Sequence, residues 1–235
     1  MQQEKRLNQK VWFLSDPHLS HKNILHFSPV RRKLFNIDCE QNEETGEWKY
    51  WDILNGRIEI PEERALSLMN DRFIALYNEK VSKKDKVFIL GDFSFGTLEE
   101  GTRCFHKMNG HKNIIYGNHD SVARKIVGWE TASDIKFINF KKSVYPFLAE
   151  NFLVSLCHYP IVSWERKING AIMLHGHCHN HIDEYNKQSK ELRLDVGIDG
   201  PKFIWSLEEV YEYMKSIAGD KTFSQYNNDF KYITL

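Results

Sequence analysis

Five apolar segments of this 235-residue chain end in side chains that can bind a cation or transfer a proton. Each segment has the length and composition of a buried β-strand. Binding sites of open α/β sheets form at the carboxyl ends of the strands. We therefore expect these endings to converge, although they span more than 160 residues. In chain order they are Asp16-Pro17-His18, Gly91-Asp92, Gly117-Asn118-His119-Asp120, Cys157-His158 and Gly176-His177-Cys178-His179.

The endings supply carboxylate, carboxamide and imidazole donors, a combination that suits Mn²⁺, Fe²⁺, Co²⁺ or Zn²⁺. One metal takes about three or four protein ligands. The candidates are enough for two metals if one carboxylate bridges them, and two metals can clamp the oxygens of an in-line displacement at phosphorus. Glycine beside three of the candidates would allow sharp turns and the close approach of a substrate. The candidate ligands are Asp16, His18, Asp92, Asn118, His158, His177 and His179.

This ordered set resembles the metal-binding blocks of the calcineurin-like metallophosphoesterases. In this sequence the blocks read Asp-x-His, Gly-Asp, Gly-Asn-His-Asp, His and Gly-His-x-His, and the resemblance extends over about residues 11–215. The sequence is most similar to small, capless bacterial and phage phosphoesterases. That closer likeness is carried by three segments: Ser20-His21-Lys22-Asn23-Ile24, Gly91-Asp92-Phe93-Ser94-Phe95-Gly96 and Asp195-Val196-Gly197-Ile198-Asp199.

The resemblance implies two divalent metal ions per chain, with Mn²⁺ expected and Fe²⁺, Zn²⁺, Co²⁺ and Ni²⁺ as alternatives. It implies hydrolysis of a phosphomonoester or phosphodiester by a hydroxide that bridges the metals. His119 would assist the leaving group, and Asp120 would orient His119. One metal would be held by Asp16, His18, Asp92 and His179, and the other by Asp92, Asn118, His158 and His177, with Asp92 bridging.

Three weaker candidates for substrate binding are His21, Lys22 and Arg31. Lys22 could meet a phosphate as a point charge. Arg31 opens a basic Arg-Arg-Lys run that could steer anions toward the site. Each of these side chains also suits a solvated surface. The expected substrate is a small phosphoester or nucleotide, and the sequence leaves the ester type, the native metal and the oligomeric state open.

The remaining segments predict an α/β fold. Strand-like runs alternate with helical patterns that begin at Pro61 and Thr97, which predicts βαβ units in the first half. Strand-like runs in the second half are closely spaced, and a polar turn at 186–189 predicts an antiparallel hairpin whose last strand, 192–196, has one wet face. The resemblance refines this to a four-layer α/β/β/α sandwich of two mixed β-sheets flanked by helices, with the metal site at the carboxyl ends of the strands. We expect one domain over 1–235, with a loop or hairpin insertion at about 29–60.

The composition excludes several other classes. Lys+Arg and Asp+Glu both number 32, and this balance argues against a protein that coats long nucleic acid. No apolar stretch approaches the roughly 18 residues that a membrane span requires. The polar N-terminal residues lack the apolar core of a signal peptide, so the expected compartment is the cytoplasm, with no membrane partner.

Three other functions stay open at this point. The first is a nuclease of the same superfamily that acts on DNA or RNA. The second is a non-catalytic metal-binding interaction module. The third is a structural zinc module built from Cys157, His158, His177 and Cys178.

Overall fold

The computed structural model describes residues 9–229 and shows a mixed α/β fold with three β-sheets and flanking helices. The strands are β1 (Val11–Leu14), β2 (Ile37–Gln41), β3 (Trp48–Asp52), β4 (Ile58–Ile60), β5 (Lys86–Ile89), β6 (His111–Ile115), β7 (Thr131–Ser133), β8 (Ile135–Phe140), β9 (Phe152–Cys157), β10 (Ile172–His175), β11 (Arg193–Asp195) and β12 (Trp205–Ser206). The α-helices are α1 (Ile24–Phe27), α2 (Pro29–Phe35), α3 (Glu62–Lys80), α4 (Leu98–Lys107), α5 (Asp183–Ser189), α6 (Leu207–Ala218) and α7 (Phe223–Asp229).

The first sheet has the order β12-β1-β5-β6-β7. Strands β1, β5, β6 and β7 are parallel, and β12 joins β1 in the antiparallel sense. Helices α3 and α4 connect the parallel strands, as the alternating pattern predicted. This sheet therefore places the residues that follow β1, β5 and β6 along one edge.

The second sheet has the order β11-β10-β9-β8, and its topology corrects two predictions. Strands β9, β10 and β11 are parallel, and only β8 and β9 are antiparallel. The segment predicted as a turn at 186–189 belongs to α5, which supplies the crossover that parallel strands need. The prediction of a wet face on β11 is also wrong, because Arg193 is buried and its Nε donates to Asn186 Oδ1 at 2.8 Å.

The first sheet buries both of its faces, and alternate side chains enter different cores. Trp12 and Leu14 of β1 pack into a cluster with residues of α3 and α4. Val11 and Phe13 point the other way, into a cluster that also contains residues of β9, β10 and α6. The two larger sheets thus share one apolar core. This core fixes the carboxyl ends of the strands in one sheet relative to those in the other.

Residues 29–60 form more regular structure than the predicted loop or hairpin. The segment contains α2 and a small antiparallel sheet in the order β2-β3-β4. Phe35, Ile37, Cys39 and Tyr50 of this segment join the cluster beneath α3. The insertion is therefore packed onto the main fold through apolar side chains.

Two helix starts agree with the sequence signals. Thr97 and Ser206 each form a reciprocal capping box with the glutamate three residues later. The helix predicted from Pro61 begins at Glu62, with Pro61 as its N-cap. Within residues 9–229, no helix is long and apolar enough to cross a membrane.

Candidate metal centre

The structure brings the five strand endings together at one edge of the two larger sheets. Asp16 and His18 follow β1, Asp92 follows β5 and His158 follows β9. The loop after β1 runs beside the loop after β5, because Asp16 N–H donates to Gly91 O at 3.0 Å and His18 N–H donates to Asp92 O at 2.9 Å. The backbone therefore ties the first two endings to each other directly.

The first group of converging donors is Asp16, His18 and His179, whose ligand atoms all lie within 4.8 Å of one another. His18 Nε2 is 3.6 Å from Asp16 Oδ1, and His179 Nε2 is 3.9 Å from the same oxygen. Asp16 and His18 are almost fully buried. This group matches three of the four side chains expected for one metal.

The second group is Asp16, Asp92 and His158. The two oxygens of Asp92 face opposite ways, with Oδ1 3.6 Å from His158 Nε2 and Oδ2 3.6 Å from His18 Nε2. Asn118 Oδ1 lies 3.1 Å from His158 Nε2. A carboxylate placed between two sets of donors has the geometry of a bridging ligand.

His177 lies at the rim of this arrangement. Its backbone N–H donates to both carboxylate oxygens of Asp16, at 3.2 and 3.0 Å. Its imidazole centroid is 5.1 Å from that of His158, but the side chain is exposed and stands outside both close groups. The structure thus places His177 beside the site without bringing its ring into contact with the carboxylates.

The imidazole of His158 has one nitrogen directed at two side-chain oxygens. His158 Nδ1 lies 2.7 Å from Leu90 O, which can only accept, so Nδ1 carries the proton. In the neutral ring, the lone pair of Nε2 then faces Asn118 Oδ1 and Asp92 Oδ1. Converging lone pairs of this kind are stabilised by a cation.

His18 gives a second test of whether these residues fit a metal. Both of its ring nitrogens are buried and have no hydrogen-bond partner. Burial lowers the pKa of His18, which favours the neutral ring with a free lone pair. An unpaired buried imidazole is costly, and coordination to a metal would satisfy it. The donor set therefore fits a divalent ion.

The backbone of the ligand loops is strained. Five of the seven candidate ligands have a positive φ, in the left-handed region that side chains other than glycine rarely adopt. Such strain persists only where the surrounding structure enforces it, and it clusters at functional sites. The five are Asp16 (56°), His18 (50°), Asp92 (53°), His177 (68°) and His179 (47°).

The neighbouring glycines make room for the ligand loops themselves. A Cβ on Gly176 would overlap the side chains of Ser15 and Asp16. A Cβ on Gly117 would lie 2.9 Å from both Asp92 N and His158 Cε1. The sequence predicted that these glycines allow sharp turns and the approach of a substrate, and the structure adds a need for close contact between neighbouring loops.

Electrostatic coupling is strong around Asp16. Burial alone would raise the pKa of Asp16, but the adjacent imidazoles, His18 first among them, lower it to about 2. Asp195 behaves in the opposite way, because burial and the charge of Asp16 raise its pKa to about 7. Asp195 accepts hydrogen bonds from the backbone N–H groups of Asn180 and Gly197, at 3.0 and 2.8 Å. It therefore braces the loop that carries His179.

His119 lies at the exposed side of the site, where a substrate can reach its ring. Its backbone N–H donates to Asp92 Oδ1 at 3.0 Å, and its ring centroid is 6.4 Å from that of His18. The prediction that Asp120 orients this ring is wrong. The buried Asp120 carboxylate instead accepts from the backbone N–H groups of Asp92, Phe93 and Gly117, so it fixes the turns of two ligand loops.

The three residues expected to bind substrate lie in different environments in the structure. His21 packs against Phe95 with a ring-centroid distance of 4.2 Å, and Lys22 is exposed beside it. Burial lowers the pKa of His21 to about 4. The prediction for Arg31 is wrong, because Arg31 is fully buried and cannot meet a substrate or solvent.

Arg31 forms a buried ion pair with Asp199, which sequence reasoning did not identify as part of the site. Its Nε and Nη2 donate to the two Asp199 oxygens at 2.9 and 2.7 Å. Its guanidinium also donates to Pro17 O at 2.8 Å and to Asp16 O at 2.6 Å. Asp199 Oδ2 accepts from His179 Nδ1 at 2.7 Å, which leaves His179 Nε2 as the lone-pair atom facing Asp16.

This ion pair connects the insertion to both ligand loops of the first group. Burial raises the pKa of Asp199, but its bonds to His179 and Arg31 lower it well below the ordinary range. The segment from Asp195 to Asp199 was the sequence signal that could have identified Asp199 as part of the site. Its partner in the basic run after Pro29 could not be identified from spacing, because 168 residues separate the pair.

The predicted cysteine-containing alternative finds no support in the geometry. Cys157 is buried in a small apolar cluster with Trp164 and Met173. Among residues 9–229, neither close group of potential metal donors contains a cysteine. The thiols are therefore not arranged as a structural zinc site in this structure.

Comparison with known proteins gives the fold. No protein-family model matches this chain. The gene 66 protein of Mycobacterium phage L5 is 25% identical over 229 residues, covering 88% of this chain and 95% of that protein. An uncharacterized protein of Methanocaldococcus jannaschii is 26% identical over 196 residues, covering 81% and 83% of the two chains. A crystal structure of a protein of unknown function from Aquifex aeolicus matches with a TM-score of 0.57 and 18% identity, over 88% of this chain and 100% of that one.

Proposed function

We propose that this protein is a di-metal phosphoesterase of the calcineurin-like type, acting on a small phosphomonoester, phosphodiester or nucleotide. The observation that carries the proposal is the pair of donor groups that share Asp16, with Asp92 facing both. The unpartnered nitrogens of His18 support it, since a structural polar cluster would satisfy them by hydrogen bonding.

The proposed ligands divide as the family resemblance implies. Asp16, His18 and His179 would hold one ion, and His158 with Asn118 would hold the other, with Asp92 between them. His177 would complete the second set. Two divalent ions, with Mn²⁺ expected, would supply Lewis-acid polarisation of the phosphoryl oxygens and a lowered pKa for the attacking water.

The exposed imidazole of His119 would donate a proton to the leaving oxygen. The backbone N–H of His119 donates to Asp92 Oδ1 and so fixes the backbone that carries the ring. Asp120 holds this turn and the loop after β5 through three backbone N–H groups. Lys22 is exposed beside His21 and would meet an anionic substrate as a point charge.

The proposal includes the four-layer sandwich. It is supported by the apolar core that β1, β5 and β6 share with β9 and β10. It is also supported by α3 and α4, which cover the opposite face of the first sheet.

The test is hydrolysis of p-nitrophenyl phosphate against bis-p-nitrophenyl phosphate, using metal-stripped protein supplied with Mn²⁺, Zn²⁺, Ni²⁺ or Mg²⁺. We expect turnover that requires metal, and a decrease in kcat of about 10²- to 10⁴-fold in His119→Ala. His106→Ala is the matched control, because His106 is an exposed histidine on α4, and it should behave as the wild type. Absence of hydrolysis with every metal, together with no metal uptake, would refute the proposal.

A further inference from the structure

A cavity of about 720 Å³ opens beside the candidate metal centre. Its volume lies in the range of small-molecule sites, about 300–1,000 Å³. Its lining includes Ser20, His21, Leu66, Asn70, Phe95 and Gly96. None of these residues is a candidate metal ligand, so the cavity is a separate compartment from the donor groups.

The near wall of the cavity continues the two ligand loops. Leu19 N–H donates to Phe93 O at 3.1 Å, and Phe95 N–H donates to Leu19 O at 2.9 Å. The loop that carries Asp16 and the loop that carries Asp92 thus run side by side into the cavity. Gly96 permits this approach, because a Cβ there would lie 2.7 Å from Ser20 Cβ.

Phe95 forms the boundary between the cavity and the centre. Its ring centroid is 4.9 Å from His18, with near-parallel planes, and 4.7 Å from His119. On the cavity side it contacts His21, at a centroid distance of 4.2 Å. A group bound against Phe95 and His21 would therefore lie next to the histidine proposed to protonate the leaving oxygen.

The cavity has an aromatic and aliphatic character at this wall. Asn70 is buried, and its amide is occupied by Ser20, accepting from Ser20 N–H at 2.9 Å and donating to Ser20 Oγ at 2.8 Å. The neighbouring Leu66 adds an aliphatic surface from α3. Arg103 at the rim lies 3.4 Å from Asp71, so its charge is partly balanced.

We propose that this cavity binds the organic part of the leaving alcohol, and that it selects phosphoesters whose alcohol carries a planar aromatic ring. The inference rests on the proposed function and names its substrate class. An aromatic side chain can stack on the face of any planar ring. Such stacking contributes about 1–3 kcal/mol to the binding of a nucleobase. Nucleoside and aryl alcohols share this chemistry, and the test separates them.

The experiment compares Ser67→Trp, which fills the cavity from α3, with Ala75→Trp, an exposed position on the same helix outside the cavity. The substrates are thymidine 5′-phosphate, benzyl phosphate and glycerol 1-phosphate, or their methyl diesters if only diesters react. All three leave as primary alcohols, so leaving-group reactivity is matched. We expect Ser67→Trp to raise KM for the aromatic esters at least 10-fold relative to glycerol phosphate. Ala75→Trp should leave every ratio unchanged.

A binding measurement on the metal-free protein separates this inference from the proposed function. We expect saturation-transfer NMR to show thymidine or benzyl alcohol bound to the wild type and to Ala75→Trp, and lost from Ser67→Trp. A response to only one alcohol identifies the nucleoside or the aryl source. Binding of an alcohol, with no hydrolysis under any metal and no metal uptake, would retain the cavity and refute the phosphoesterase.

Hydrolysis with KM ratios that change less than twofold in Ser67→Trp would overturn the inference and leave the proposed function intact. Absence of binding by both alcohols at millimolar concentration would also overturn it. If Ser67→Trp does not give a cooperative thermal transition, Leu66→Ala replaces it. That variant removes apolar wall surface and should raise the same KM ratio about fivefold.

Discussion

Replacing Arg31 by methionine should weaken metal binding, although the Arg31 side chain makes no hydrogen bond to any side-chain atom proposed to coordinate a metal. The substitution removes four hydrogen bonds, two to Asp199 and one each to the carbonyls of Asp16 and Pro17. It also leaves the Asp199 carboxylate buried beside His179 without its cation.

The expected magnitude follows from these contacts. Breaking a buried ion pair by removing one partner costs about 3–5 kcal/mol of unfolding free energy. Loss of a group that orients metal ligands lowers metal affinity by about 10- to 100-fold. We expect both effects in Arg31→Met, because the guanidinium supports the strained backbone at Asp16 and the carboxylate that fixes the tautomer of His179.

The assay is urea unfolding of the metal-free protein together with calorimetric titration of Mn²⁺. Arg72→Met is the matched control, because Arg72 pairs with Asp52 and donates to Phe35 O and Asn36 O at 2.8 and 3.0 Å. It ties down the insertion in the same way, and its hydrogen bonds go to Phe35, Asn36 and Asp52 and not to the ligand loops. The control should lose stability and retain the wild-type affinity for Mn²⁺.

A double variant tests the coupling. Asp199→Asn combined with Arg31→Met removes both charges, so its stability loss should be smaller than the sum of the single losses. Wild-type Mn²⁺ affinity in a folded Arg31→Met protein would refute the reasoning. Additive losses would show that the pair does not act as a unit.

Three further predictions concern stability. Gly176→Ala should lose several kcal/mol of unfolding free energy and its metal uptake, because the new Cβ would overlap Ser15 and Asp16. Gly219→Ala should lose only about 1–3 kcal/mol, because its Cβ would meet open space and only its backbone conformation disfavours a side chain. Retention of metal uptake by Gly176→Ala, or its loss in Gly219→Ala, would contradict this. Asp85 accepts from the N–H groups of Lys10, Trp12 and Ser82, which outweigh burial and lower its pKa. Its stabilising contribution is therefore present above about pH 4 and lost as the pH falls through the lowered pKa, so Asp85→Asn should be less stable at pH 7 and show a weaker decline in acid, measured by melting temperature across pH 2–7. Ser206→Ala should lower the unfolding free energy by about 1 kcal/mol through the lost N-cap of α6, and an unchanged urea midpoint would contradict the capping role.

The candidate ligands were accessible to prediction because their signals are local. Asp16 and Asp92 each follow a short apolar run at once, and parallel strands deliver their carboxyl ends to one edge. The capping boxes at Thr97 and Ser206 are local in the same sense, since four consecutive residues define each helix start.

The second half was harder to predict because strand direction is not a local property. Strands β10 and β11 are close in sequence, and a short polar segment between them suits either a turn or a short helix. In the structure the segment forms the helix α5, which crosses over the sheet, so β10 and β11 are parallel. The buried Arg193 shows the same effect, because alternation along β11 does not reveal that both faces are covered.

The sequence by itself determined which residue types follow each strand and therefore which chemistry could collect at the sheet edge. Only the tertiary structure decided that Arg31 is buried against Asp199 and that Asp120 braces backbone N–H groups. It also decided that Phe95 separates the donor groups from a cavity. The physical reason is that an arginine in a polar segment has the same sequence signature whether it is solvated or paired. Its role depends on a carboxylate 168 residues away that folding brings within hydrogen-bonding distance.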